Sequence, residues 1–245
     1  MARLHVTLLG SFRVQPASGR TLLLPLRKAQ GLLAYLALRP GQPHFRETLA
    51  TLLWGDRAAA EAHHSLRQAL FALRQVLPDG KPSALVIQGD SVALNPAAAD
   101  VDAANFQELA AAGTPRALEQ AALLYRGDLL EGFALEEESF EEWLRVERDR
   151  LRELAIQTLG RLLAHQMRAG VVEAAIQTAG RLLALDPLQE SVHRALMRLY
   201  VRQGRRGAAR RQYQFCLDGL QAELGVGPEA ETIQLYERLL PGTSS

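Results

Sequence analysis

Apolar and polar positions alternate with two different periods along this chain, and the change of period divides it. Residues 5–14 (HVTLLGSFRV) and 21–24 read as strands separated by the turn-rich Pro16-Ala17-Ser18-Gly19. From residue 26 the spacing becomes helical. Residues 26–38 (LRKAQGLLAYLAL) offer Leu32, Leu33, Tyr35, Leu36 and Leu38 for burial, and Pro40-Gly41 stops the helix. A short helix from Arg46 follows, then a turn at Trp54-Gly55-Asp56 and a longer helix reaching Leu77. At about 100° per residue, that longer helix gathers Ala62, Leu66, Ala69, Leu70, Leu73, Val76 and Leu77 into one arc. Opposite lie His64, Arg67, Gln68, Phe71, Arg74 and Gln75. After Pro78-Asp79-Gly80, the runs 85–88 and 91–94 flank Gly89-Asp90, a hairpin signal. The order strands, three helices, hairpin is that of a winged helix.

Beyond residue 101 the strand period disappears. Helical patterns cover 102–112, 115–125, about 137–169, 171–185, 189–203, 205–224 and 229–240. A spacing of 34 residues relates Gly170 to Gly204, Ala175 to Ala209, Leu162 to Leu196 and Leu183 to Leu217. That is the tetratricopeptide period, in which small residues allow paired helices to approach closely, and Pro187 fits the end of the first repeat. The fold class expected is therefore mainly α. An N-terminal winged helix-turn-helix (α+β) occupies 1–98, and a C-terminal all-α, tetratricopeptide-like helical array occupies 99–245.

Charge sharpens this division. The net charge is +1, but residues 1–100 carry eleven Lys/Arg against six Asp/Glu (+5), and the remainder seventeen against twenty-one (−4). A basic first part suits a nucleic-acid-facing module joined to one with another task. No apolar run of about 18 residues is present, so no membrane span is expected. Met1-Ala2-Arg3 leads directly into the alternating segment without a secretory h-region, and a cytoplasmic location is expected. The single Cys216 sits in a helical pattern as a small packed side chain.

The segments PLRKAQGLLAYLALRPG, RETLATLLWGD and HHSLRQALFALRQVL resemble the response-regulator-type winged helix of the Streptomyces antibiotic regulatory protein family. RGDLLEGF (126–133) and FEEWLRVERDRLRELA (140–155) resemble the bacterial transcriptional activator domain that follows it in that family. The resemblance spans about Val6 to Leu240. It implies that the third helix enters the major groove of double-stranded DNA while the wing touches the backbone or the minor groove. It implies DNA-facing roles for His64, Arg67, Gln68, Phe71 and Arg74. Arg27, Lys28 and Arg46, at the helix starts, are placed to clamp phosphates. It also implies that the helical array contacts a second protomer, as a homodimer, or RNA polymerase.

The chain departs from the family pattern at two points. The wing tip is Gln88-Gly89-Asp90-Ser91, where basic or aromatic residues are usual, and Phe45 stands where a Ser or Thr helix cap is common. Phe71 can meet a thymine methyl or pack against the wing, and packing is the reading preferred from sequence. His63-His64 point about 100° apart and lack Cys or carboxylate partners, so no metal is expected. Glu136, Glu137, Glu138, Glu141 and Glu142 read as a solvated face and as favourable charge at a helix start. Arg205, Arg206, Arg210 and Arg211 read as a basic cluster, facing either flanking DNA or the acidic helix.

No GxxxxGK loop, Cys/His metal set or nucleophile elbow is present, so neither an enzyme nor a cofactor is expected. Several family members carry a nucleotide-binding domain after the helical array; these 245 residues hold no such loop. The function expected is a sequence-specific DNA-binding transcriptional regulator, an activator. The alternative is a tetratricopeptide-like interaction scaffold whose winged helix has lost DNA binding.

Overall fold

Sixteen elements follow one another in the computed structural model, which describes residues 4–16, 19–77 and 82–240. The order begins β1 (Leu4–Thr7), β2 (Arg13–Gln15), α1 (Arg27–Leu38), β3 (His44–Phe45), α2 (Arg46–Trp54), α3 (Ala59–Val76), β4 (Leu85–Gln88) and β5 (Ser91–Leu94). It continues with β6 (Ala99–Val101), α4 (Asp102–Ala112), α5 (Pro115–Leu124), α6 (Glu138–Ala169), α7 (Val172–Leu185), α8 (Glu190–Arg202), α9 (Arg206–Leu224) and α10 (Ala230–Leu239). The molecule is mainly helical, with a winged helix-turn-helix followed by a helical array. Packing gathers it into two compact units, Met1–Leu154 and Ala155–Ser245, and the division falls inside α6.

In the first unit α1, α2 and α3 close on a core of Leu32, Leu33, Leu36, Leu49, Leu53, Leu66 and Leu73, all with essentially no exposure. One small sheet, β3-β5-β4, contributes Leu94 to that core and forms the wing. The other sheet has the order β2-β1-β6, with β1 antiparallel to β2 and parallel to β6. β3 and β6 were not foreseen, because two and three residues are too few to display an alternation.

The strand expected over 5–14 is divided. Leu8 and Leu9 are both buried, which period-two alternation forbids. Their N–H groups leave the ladder and donate to the two carboxylate oxygens of Asp102, at 2.7 and 3.1 Å. Gly10 then turns the chain at φ +94° and donates its N–H to the Asp128 carbonyl. Burial pushes the Asp102 carboxyl above the usual range, while the hydrogen bonds from Leu8, Leu9 and Ala103 pull the other way. Asp102→Ala strands those donors and is expected to cost about 1–3 kcal/mol, read as a lower urea midpoint. A midpoint within error of wild type would show that water satisfies them.

Residues 21–24 form no strand. Leu22 donates its N–H to the Val14 carbonyl and Gln15 Nε2 donates to Thr21 Oγ1 (3.1 Å), but no ladder forms, and Leu23 faces solvent. The turn at Ala17-Ser18 and the Pro78-Asp79-Gly80 turn lie outside the described residues.

A single stripe of α1 is committed to the segment that opens α6. Arg27 donates to the Ala134 carbonyl (2.8 Å) and lies over the Phe133 ring (5.0 Å). Lys28 pairs with Glu137. Gly31 leaves room for Leu135 and Phe140, since a Cβ there would sit 2.8 Å from Leu135 Cδ1. Tyr35 packs on Trp143 (4.9 Å between centroids), and Arg39 pairs with Glu147 (3.1 Å). Positions 27, 31, 35 and 39, the last at the helix end, recur every four residues, the spacing that keeps side chains on one helix face, with Lys28 beside the first.

The segment 126–133 is pinned from two directions. Leu130 donates to the Leu8 carbonyl, while the Arg148 guanidinium donates to the carbonyls of Leu129, Leu130 and Phe133. Leu130 carries the only positive φ (51°) of a non-glycine among the described residues. Its complete burial and those carbonyl bonds hold it there.

The second unit holds the end of α6 and helices α7 to α10. Gly170 and Gly204 take the same left-handed turn (φ +73° and +72°) between α6 and α7 and between α8 and α9. Ala175 and Ala209 are fully buried, and Leu162 and Leu196 are buried alike. The 34-residue equivalence is thus structural. Pro187 places its carbonyl 2.8 Å from His193 Nε2, and Gln212 Nε2 donates to His193 Nδ1 (2.7 Å). Arg194 secures α10 through Glu229 (2.9 Å) and Thr232 (2.8 Å). Cys216 is buried, which pushes its thiol up to about 11 and makes it a poor nucleophile.

Candidate nucleic-acid interface

α3 has a buried side and an exposed side, and the division follows the sequence pattern closely. Ala62, Leu66, Ala69, Leu70 and Leu73 are buried. His64, Arg67, Gln68, Phe71, Arg74 and Gln75 all face solvent. Among the described residues neither Arg67 nor Arg74 meets a carboxylate, so both guanidiniums keep their donors. Seven residues separate them, a rise of about 10 Å along the axis. The Gln68 amide nitrogen lies 2.9 Å from His64 Nε2, one turn back, so the two side chains form a single polar edge.

His63 turns away from this stripe. Its Nε2 lies 2.6 Å from a Glu47 carboxylate oxygen and ties α3 to α2. The adjacent histidines therefore have separate partners. Among the described residues, no three His, Cys, Asp or Glu side chains gather as a metal site.

Phe71 is not buried by packing against the wing. It is 64% exposed and has no ring contact among the described residues. The reading preferred from sequence failed because periodicity places Phe71 on the polar arc but says nothing of how far the wing reaches.

The wing tip is anchored at the start of α2. Arg46 donates its backbone N–H to the Asp90 carbonyl (2.9 Å), and its Nε lies 3.9 Å from Asp90 Oδ1. Phe45 gives α2 no side-chain cap, and this backbone bond takes over part of that task. Asp90 remains largely exposed, but Arg46 stands beside its charge. At the exposed turn before α3, Arg57 reaches Ser65 Oγ (3.4 Å). Sequence reading passed over Arg57 because it belongs to no periodic segment.

Arg27 and Lys28 are used within the molecule. The Glu137 carboxylate that receives Lys28 is only 4% exposed, and Lys28 also lies over the Trp54 ring (5.5 Å). Glu137 is accordingly not part of a solvated face. Glu141 is also occupied, accepting the Leu135 N–H at 2.5 Å, whereas Glu142 meets Arg145 at the surface. Arg205 stacks over Tyr200 (4.9 Å) within its own helical hairpin.

The bacterial transcriptional activator domain family matches residues 90–240. The chain belongs to this family. It is 29% identical over 234 residues to the regulatory protein AfsR of Streptomyces coelicolor, covering 91% of this chain and 23% of that protein. Its fold matches Mycobacterium tuberculosis EmbR, solved in complex with a low-affinity phosphopeptide, at a TM-score of 0.73 and 22% identity. That match covers 98% of this chain and 65% of the other. The chain thus spans about a quarter of the curated relative and about two thirds of the solved one. These matches support the family that the sequence resembled, transcriptional regulators of the Streptomyces antibiotic regulatory protein type.

Proposed function

We propose that the chain is a sequence-specific DNA-binding transcriptional regulator, an activator, acting in the cytoplasm. α3 lies in the major groove, with Arg67 and Arg74 on base edges or phosphates and His64, Gln68 and Phe71 beside them. Arg46, steadied by Asp90, approaches the phosphate backbone from the base of the wing. Arg27 and Lys28 act by fixing α1 against the segment before α6, so that α3 is presented on a rigid support. The helical array supplies contacts to a second protomer or to RNA polymerase.

One observation carries this reading: six neighbouring side chains of α3, four of them strong hydrogen-bond donors, stay exposed while the opposite face seals the core. Selection of bound fragments from genomic DNA at near-physiological salt tests it directly. A recovered motif, repeated about one helical turn apart, is the expected result. On that motif Arg67→Ala is expected to weaken binding by about 1–3 kcal/mol and to relax one base position. Equal losses on all sequences would make Arg67 a phosphate contact.

A second reading is an interaction scaffold without DNA binding. Its support is the internal use of Arg27 and Lys28 together with the exposed Asp90 at the wing tip. Folded protein that enriches no sequence in the same selection would favour it.

A further inference from the structure

Phe71 is an expensive residue to leave in water, and among the described residues no other ring packs on it and most of its surface stays exposed. Its ring is 64% exposed at the middle of an 18-residue helix whose other exposed side chains, apart from Ala59 and Ala60 in the first turn, are polar. Arg67 precedes it by four residues and Arg74 follows by three, so all three share one stripe. Gln68 lies one turn before it on the same side and is held by His64. An apolar docking patch for another protein would gather several such side chains. Here a single phenyl ring is set among donors. One surface presents that mixture in return: the floor of the major groove, where acceptor edges surround the C5-methyl group of thymine.

We propose that Phe71 reads a 5-methylpyrimidine, a thymine in unmodified DNA, at one position of the binding site. This rests on the DNA-binding reading above and adds a residue-level assignment to it. The phenyl ring covers the methyl group while Arg67 and Arg74 engage acceptors on either side along the groove. Because the ring contacts only the methyl group, 5-methylcytosine satisfies it in part, while uracil and cytosine do not.

The test uses the full chain and the duplex recovered by selection, with each thymine replaced in turn by deoxyuridine. Removing one buried methyl group is expected to weaken wild-type binding about fourfold at a single position. At that position Phe71→Ala binds thymine and uracil DNA equally, and both about as weakly as wild type binds the uracil duplex. Phe71→Ala should keep nearly the wild-type unfolding midpoint, since most of its side chain is already in solvent. Replacing the same base pair by one carrying 5-methylcytosine should bind wild type more tightly than the cytosine version. If uracil is tolerated everywhere while binding persists, the methyl assignment is overturned and the DNA-binding reading survives. If Phe71→Ala instead weakens association between protomers equally on both DNAs, the ring serves a protein contact and the proposal fails. If no duplex is recovered at all, the underlying reading has failed first.

Discussion

Phe140→Ala lowers the unfolding free energy of the first unit by about 3–5 kcal/mol, the range for a fully buried aromatic truncated in a packed core. Phe140 has no exposed surface and is central to a run of rings, 6.0 Å from Phe133 and 5.1 Å from Trp143. It also lies under Gly31, where α1 comes closest to the segment 135–140. Its removal leaves a cavity bounded by α1 on one side, which cannot collapse without shifting the helix that supports α2 and α3. Both tryptophans of the chain, Trp54 and Trp143, belong to this unit, so urea unfolding followed by fluorescence reports on it directly. A loss below about 1 kcal/mol would mean that α1 relaxes onto α6 freely, and the support argued for α3 would be lost with it.

Lys28→Ala is expected to cost about 2–4 kcal/mol, because it abandons the Glu137 carboxylate in a site only 4% exposed. The lower part of that range allows for the partial exposure of Lys28 (27%), through which water screens the pair. Replacing both partners by neutral residues, Lys28→Met with Glu137→Gln, should recover much of the loss. An unpaired buried charge is worse than none. Trp54 emission should change in the single variant, since the ammonium over its ring is removed. DNA affinity per folded molecule should change little. Expectation from sequence placed Lys28 on phosphate, which would weaken binding on every sequence and flatten its salt dependence. A flattened salt slope with unchanged stability would restore that role.

The two readings of Lys28 show how the sequence informs. A lysine at a helix start in a basic module is a fair candidate for phosphate, and nothing local argues otherwise. Its partner is 109 residues away in the chain. The acidic run around Glu137 misleads in the same way, since charge at the opening of a long helix is ordinarily solvated. Only the close approach of α1, permitted by Gly31, brings the two together.

Local periodicity went far in this chain. The hairpin β4–β5 and the extent of α4 through α10 were legible to within a residue or two. Each helix there has an amphipathic pattern, and four of the seven stop at Gly113, Gly170, Gly204 and Gly225, which all take left-handed turns. The 34-residue repeat was legible because the same close helix approach demands the same small residues twice. The buried and exposed arcs of α3 were legible because one face must seal a core whatever the other does.

Tertiary structure decided what no local pattern records. Asp102 drew the N–H groups of Leu8 and Leu9 out of a strand. Short β3 and β6 formed only because β5 and β1 stood ready to pair with them. Packing set the limit of the first compact unit at 154, whereas the change of sequence period suggests a boundary near 98; the two describe different properties. Phe71 was left largely in solvent, while Lys28 was covered by the segment that leads into α6. Alternation and helical spacing depend on neighbours within a few residues, so the chain states them openly. Which charge is neutralised and which ring is left in water depends on contacts about a hundred residues apart, and those exist only once the chain has folded.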